Sequence, residues 1–135
     1  MASLKKIITL GVYGSTRKSF FETLVRQKVD TFCDVRRRRG LRGSEYKYAN
    51  SAELQDELKK RGMAYVHFKE LSPPPELIKK QNAADKEKGI PRRERRELAP
   101  EFVEGYRKCC LEDLDAGAFL EQLPEGTKVI ALFCV

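Results

Sequence analysis

Asp34 and Arg36 stand two residues apart at the end of the apolar run 29–35, a spacing that in an extended chain puts both side chains on one face. A carboxylate there can serve as a general acid or base, or can orient a guanidinium whose planar fork suits phosphate or carboxylate. The same pair also suits a plain salt bridge that anchors the chain beyond it. Residues 36–50, RRRRGLRGSEYKYAN, follow directly, with five arginines and Lys47 against Glu45 for a formal +5, compared with +7 for the whole chain. Charge runs are usually solvated, but a stretch of about 15 residues without evident secondary structure in a compact domain is more often functional or disordered. Tyr46 and Tyr48 can pack and Glu45 can fix an arginine, so an ordered anion site is expected, with Arg36, Arg42, Glu45 and Tyr46 as ligand-binding residues.

A second candidate is GVYGSTRKS at residues 11–19. Gly14 allows a sharp turn, while Ser15, Thr16 and the N–H groups of a following helix can receive phosphate or carboxylate, with Arg17 adding charge. The spacing matches neither a Walker loop nor GxGxxG, and an ordinary strand-to-helix turn with Ser19 as its cap accounts for it as well. His67, between Val66 and Phe68, is a catalytic candidate beside Asp34, although a lone histidine is more often a hydrogen-bonded structural residue. Cys33 reads as core, and Cys109 and Cys110 as helical packing residues, since nothing near them marks an activated thiolate.

These residues need a scaffold to bring them together. Four apolar, β-branched runs, at 7–13, 29–35, 63–68 and 128–135, read as strands buried on both faces. Ser19 with Glu22 has capping-box spacing and opens an amphipathic helix to about Lys28, with Phe20, Phe21, Leu24 and Val25 on one face. Asn50 with Glu53 repeats the arrangement, Leu54 and Leu58 pair at i, i+4, and Gly62 stands where that helix must end. Three prolines at 73–75 stop the third strand and can open a further helix, and residues 79–97 are expected to form a mobile basic segment. Pro100 starts another helical pattern through Phe102, Val103, Tyr106 and Cys110, with a separate turn through Leu114, Phe119 and Leu123 before the last strand. Strict alternation of strand and helix predicts an α/β fold, a small Rossmann-like three-layer sandwich with a mainly parallel sheet of about four strands. In such a sheet ligands bind at the carboxyl ends of the strands, where Gly14, Asp34, His67 and Cys134 fall.

The totals restrict what the chain can be. At 135 residues it is expected to be one domain, 1–135, with 41% hydrophobic and 35% charged residues, no run long enough to cross a membrane and no signal-peptide cleavage pattern. Four cysteines without a CxxC pair point to a reducing cytoplasm, and a single histidine argues against structural zinc, so no metal and no cofactor are expected. Residues 86–97, with six cations and three carboxylates, hold a further +3. Basicity confined to two segments favours a local anion site over a uniformly cationic surface.

DVRRRRGLRGSEYKYANS, preceded by GVYGSTRKSF and followed by GMAYVHFKEL, resembles the bacterial and archaeal family called domain of unknown function 488, over essentially the whole chain including QNAADKEKG and LAPEFVEGYRK. The combination of GVYGSTR with RGLRGSEYKYAN resembles one branch of it. The resemblance implies a Rossmann-like α/β fold and no established activity. It also implies a continuation, Cys-x-Glu and then Cys-His-Arg, of which this sequence contains only the match at Cys134, so a truncated polypeptide or a partial site is expected.

The leading functional expectation is an enzyme-like pocket for a phosphorylated small molecule or nucleotide, with Asp34 as acid or base and Arg36, Arg17 and Arg42 holding the anion. The alternatives are a non-catalytic nucleic-acid-binding module, in which the arginine segments grip phosphates while Tyr46 or Tyr48 stacks on a base, and a protein-interaction domain with an acidic partner. Whether the domain is catalytic, and its oligomeric state, are not readable from the residues.

Overall fold

A computed structural model describes residues 4–37, 39–40, 44–91 and 98–133. Chain contacts divide it into two compact units, residues 1–69 with 115–135, and residues 70–114.

The first unit carries the sheet. Its strands are β1 (Lys6–Leu10), β2 (Thr31–Asp34), β3 (Ala64–His67) and β4 (Val129–Phe133), all parallel, in the order β1-β4-β2-β3. Each is shorter than its apolar run, because Val12, Val29 and Met63 lie in the connections yet are buried in the same core. The intervening helices α1 (Arg17–Arg26) and α2 (Ser51–Lys60) make this a mixed α/β, Rossmann-like domain with a four-stranded parallel sheet flanked by helices.

Phe20, Phe21 and Leu24 form the buried stripe of α1, and Leu54 and Leu58 that of α2. They pack in one cluster with Phe32, Ala131 and Phe133 of the sheet. Phe20 is the hub, with ring centroids 5.5 Å from Phe133, 5.5 Å from Tyr48 and 6.2 Å from Phe32. Full burial of each such side chain contributes about 1.5–3 kcal/mol, so this aromatic cluster is a main support of the sheet's site-bearing end.

Register then sets what stands beside the core. Phe32 faces Tyr65 and Ala131, and Asp34 faces His67 and Phe133, so Asp34, Tyr65, His67 and Phe133 lie on the same sheet face as Phe32. The aromatic core thus ends in a polar row at the carboxyl edge.

The first helix begins differently from expectation. Thr16, extended at φ −107° and ψ 166°, is the N-cap, and Ser19 closes the capping box as its third residue, in place of a Ser19–Glu22 pair. The tight turn at Gly14, with φ 87°, brings the helix in early enough for a threonine–serine exchange to satisfy the first turn. Asn50 does precede α2, but its side chain makes no capping bond.

In the second unit, α3 (Pro75–Lys88) starts with proline in its first turn and ends at Gly89 in the left-handed conformation. Residues 79–88 of the segment expected to be mobile belong to this helix, and 92–97 lie outside the described residues. α4 (Pro100–Tyr106) passes into a π-helical turn at Arg107–Leu111. Cys109 is exposed there and does not pack, whereas Cys110 is half-buried against the Ser72 carbonyl. A short α5 (Ala116–Glu121), capped by Asp115, returns the chain to the first unit before β4. Among the described residues no helix is long and apolar enough to cross a membrane.

Candidate functional site

Asp34 ends β2 with no solvent exposure, and Arg36, two residues on, is only 4% exposed. The expected pairing is present and is bidentate. Arg36 Nε donates to Asp34 Oδ1 at 2.9 Å and Nη2 donates to Oδ2 at 2.8 Å. The Arg36 backbone N–H adds a third bond to Oδ1 at 3.1 Å, and the Tyr65 hydroxyl donates to Oδ2 at 2.6 Å. Each carboxylate oxygen therefore receives two donors. Burial pushes the Asp34 carboxyl up, but the bonds from Arg36 and Tyr65 and the Arg36 charge outweigh it and hold the group below the usual carboxylate range. Burial, together with the bond to Asp34, pushes the Tyr65 phenol up to about 12.

The guanidinium is clamped from other sides as well. Its central carbon lies 4.6 Å from the centroid of the Phe133 ring, in cation–π range. His67 Nε2 is 2.6 Å from the Arg36 carbonyl oxygen. A carbonyl can only accept, so Nε2 carries a proton and donates to it. With both Nε and Nη2 spent on Asp34, one nitrogen is left over. Arg36 Nη1 is, among the described residues, the buried side-chain nitrogen or oxygen without a hydrogen-bond partner. An unsatisfied charged donor costs about 1–3 kcal/mol or more, which makes it the most conspicuous chemical feature of this edge.

Arg39, which the sequence did not single out, belongs to the same network. Its backbone carbonyl accepts the Ser51 N–H at the start of α2, at 2.9 Å, and its Nη1 reaches the Tyr65 hydroxyl at 3.5 Å. Arg37 between them is exposed. Arg42 lies outside the described residues, as does Cys134.

The GVYGSTR turn meets the far end of the arginine segment through two tyrosines. Tyr46 accepts the Gly14 N–H at 3.1 Å. Tyr48 shares a 2.7 Å hydroxyl–hydroxyl bond with Ser15 and donates to the Ser15 carbonyl at 3.1 Å. Both rings are 4% exposed and lie in the hydrophobic core. Most donors of the turn are internally engaged, since the Ser15 N–H bonds the Val12 carbonyl, the Thr16 N–H bonds Ser19 Oγ, and the Ser19 and Phe20 N–H groups return to Thr16. Arg17 points to α2, where it pairs with Glu57, a carboxylate shared with Arg61 at 2.5 Å and Lys60 at 3.7 Å. Glu45 is exposed.

The sheet edge thus unites Asp34, Arg36 and His67, while Gly14, Ser15, Thr16 and Tyr46 form a tyrosine-pinned turn and Arg17 joins a separate cluster. A concavity of about 730 Å³ lies on the α1 side, lined by Arg17, Phe21, Arg26 and Arg61 among others, and shares only Arg17 with the candidate residues. It is a weaker candidate than the sheet edge, because its arginines at 17 and 61 already have Glu57 as partner. Among the described residues no group of three or more His, Cys, Asp or Glu side chains is placed to hold a metal. Tyr65 and Arg39 could not be found from spacing, because their approach to Asp34 depends on the pairing of β2 with β3.

A four-stranded parallel sheet with a carboxylate-locked arginine at its carboxyl edge defines the protein as a Rossmann-like α/β domain with a buried aspartate–arginine pair at that edge. Within that class the chain belongs to the family described as Domain of unknown function DUF488, whose model matches residues 16–135. No curated protein and no solved structure matches it.

Proposed function

We propose that the protein binds a phosphorylated small molecule or nucleotide at the carboxyl edge of the sheet, with Arg36 as the fixed anion ligand. The observation that carries this reading is the unpartnered Nη1 of a guanidinium that is otherwise locked by Asp34 and Phe133. A guanidinium held in one orientation loses little freedom when an oxyanion arrives, and its remaining edge matches phosphate geometry. In this reading Asp34 acts as a positioning carboxylate, since four donors saturate its oxygens and its pKa is depressed. His67 fixes the Arg36 backbone, and no reaction is assigned. The nucleic-acid alternative lacks the aromatic platform first expected of it, because the Tyr46 and Tyr48 rings are core residues with their hydroxyls engaged.

The test replaces the buried pair by apolar residues of similar size, Asp34→Leu with Arg36→Met, which avoids stranding a charge. Inorganic phosphate and a nucleoside monophosphate are titrated calorimetrically into both proteins. Binding by the parent chain that disappears in the folded double variant supports the reading. Equal binding by the two proteins overturns it.

A further inference from the structure

We infer that Arg39 is the second, movable ligand of this site, so that the anion is a tetrahedral oxyanion of phosphate type held between two guanidiniums. The inference rests on the anion-binding reading of Arg36.

The four consecutive arginines at 36–39 do not form one undifferentiated run. Arg36 is buried and Arg37 is exposed, whereas Arg39 is half-buried beside the ring of Tyr65. Three hydrogen bonds connect the two guanidiniums, from Arg36 Nη2 to Asp34 Oδ2 at 2.8 Å, from Tyr65 to the same oxygen at 2.6 Å, and from Arg39 Nη1 to the Tyr65 hydroxyl at 3.5 Å. One carboxylate thus stands among two cations, which leaves the cluster one positive charge in excess.

The bond lengths separate the two roles. Those to Arg36 are short and charge-assisted, so this guanidinium is fixed. The Arg39 contact is at the outer limit of a hydrogen bond, and its acceptor is a neutral phenol that already donates to Asp34. An oxyanion is a much stronger partner for Arg39 than that phenol. The backbone of Arg39 is nevertheless anchored, through its carbonyl to the Ser51 N–H, so the side chain pivots about a fixed point near the Arg36 edge. A carboxylate needs a single fork, whereas the several oxygens of phosphate can engage a second guanidinium approaching from another direction. The unpartnered Arg36 Nη1 is the independent sign that a ligand belongs beside this pair.

The experiment compares Arg39→Ala with Arg37→Ala, both in the otherwise intact chain, by calorimetric titration with inorganic phosphate and with acetate. Loss of one charge-assisted ligand corresponds to about tenfold or more in affinity, so Arg39→Ala is expected to weaken phosphate binding by that factor while Arg37→Ala stays within about twofold. The parent chain is expected to prefer phosphate to acetate, and Arg39→Ala to narrow that preference. Equal losses in the two variants mean diffuse attraction and overturn the inference, as does an unchanged affinity in Arg39→Ala. Phosphate binding that survives Arg39→Ala but vanishes in the Asp34–Arg36 double variant removes Arg39 alone. Absence of binding in the parent chain removes the wider reading with it.

Discussion

Replacing Asp34 by Asn probes the site with almost no change in shape. Each Asp34 oxygen now receives two donors, Oδ1 from the Arg36 backbone N–H and Nε, and Oδ2 from Arg36 Nη2 and Tyr65. Whichever position the asparagine NH₂ takes, it confronts at least one arginine N–H, and the buried Arg36 charge loses its counter-ion. Breaking a buried pair from one side costs about 3–5 kcal/mol, a large part of the ~5–15 kcal/mol that stabilises an ordinary domain. That corresponds to a fall in Tm of roughly 10 °C or more for a chain of this size. The chain has no tryptophan, so urea unfolding is best followed by far-ultraviolet circular dichroism. The folded Asp34 carboxyl lies below its unfolded pKa of about 3.9, so its contribution is fully present above that value and is lost as pH falls through the folded one. Asp34→Asn is therefore expected to flatten the acid side of the stability profile. A loss below about 1 kcal/mol, the value of an exposed ion pair, would refute the argument that this pair is buried and fully engaged.

Two further outcomes follow from the surroundings of the pair. Tyr65 is expected to ionise near pH 12, read from phenolate absorbance and absent in Tyr65→Phe. Because the folded pKa is raised, its stabilising contribution is complete below the unfolded value of about 10 and is lost as pH rises to about 12; ionisation at the ordinary value would separate it from Asp34. Cys33, fully buried with its thiol pushed up to about 12 by burial and by the Asp30 charge, is expected to resist alkylation in the native protein, whereas exposed Cys109 reacts. Peptide mapping that finds Cys33 modified at native conditions would place it outside the core.

The strands and most helices were legible because their apolar runs keep the required periods, and Asp34 with Arg36 was legible because an i, i+2 pair needs no knowledge of the rest of the fold. Tyr46 and Tyr48 were legible as rings that can pack, but not as to where. Their charged neighbours also allowed a base-stacking role, whereas long-range bonds to Gly14 and Ser15 accompany their burial in the core. Thr16 was missed as a cap since Ser19, at the third position of the helix, imitates a cap of its own. Tyr65 and Arg39 depend on strand pairing and chain return, for which composition offers no local signal. The sheet order β1-β4-β2-β3 likewise emerges only in three dimensions.

On this reading the buried, unpartnered Nη1 of Arg36 is an anion ligand. A crystal structure of the protein grown or soaked with inorganic phosphate tests it most directly. A phosphate oxygen is expected within hydrogen-bond distance of Arg36 Nη1, with the Arg39 guanidinium turned from Tyr65 towards the same ion. Phosphate found only among other basic side chains, with Arg36 Nη1 still unpartnered at saturating concentration, would contradict it.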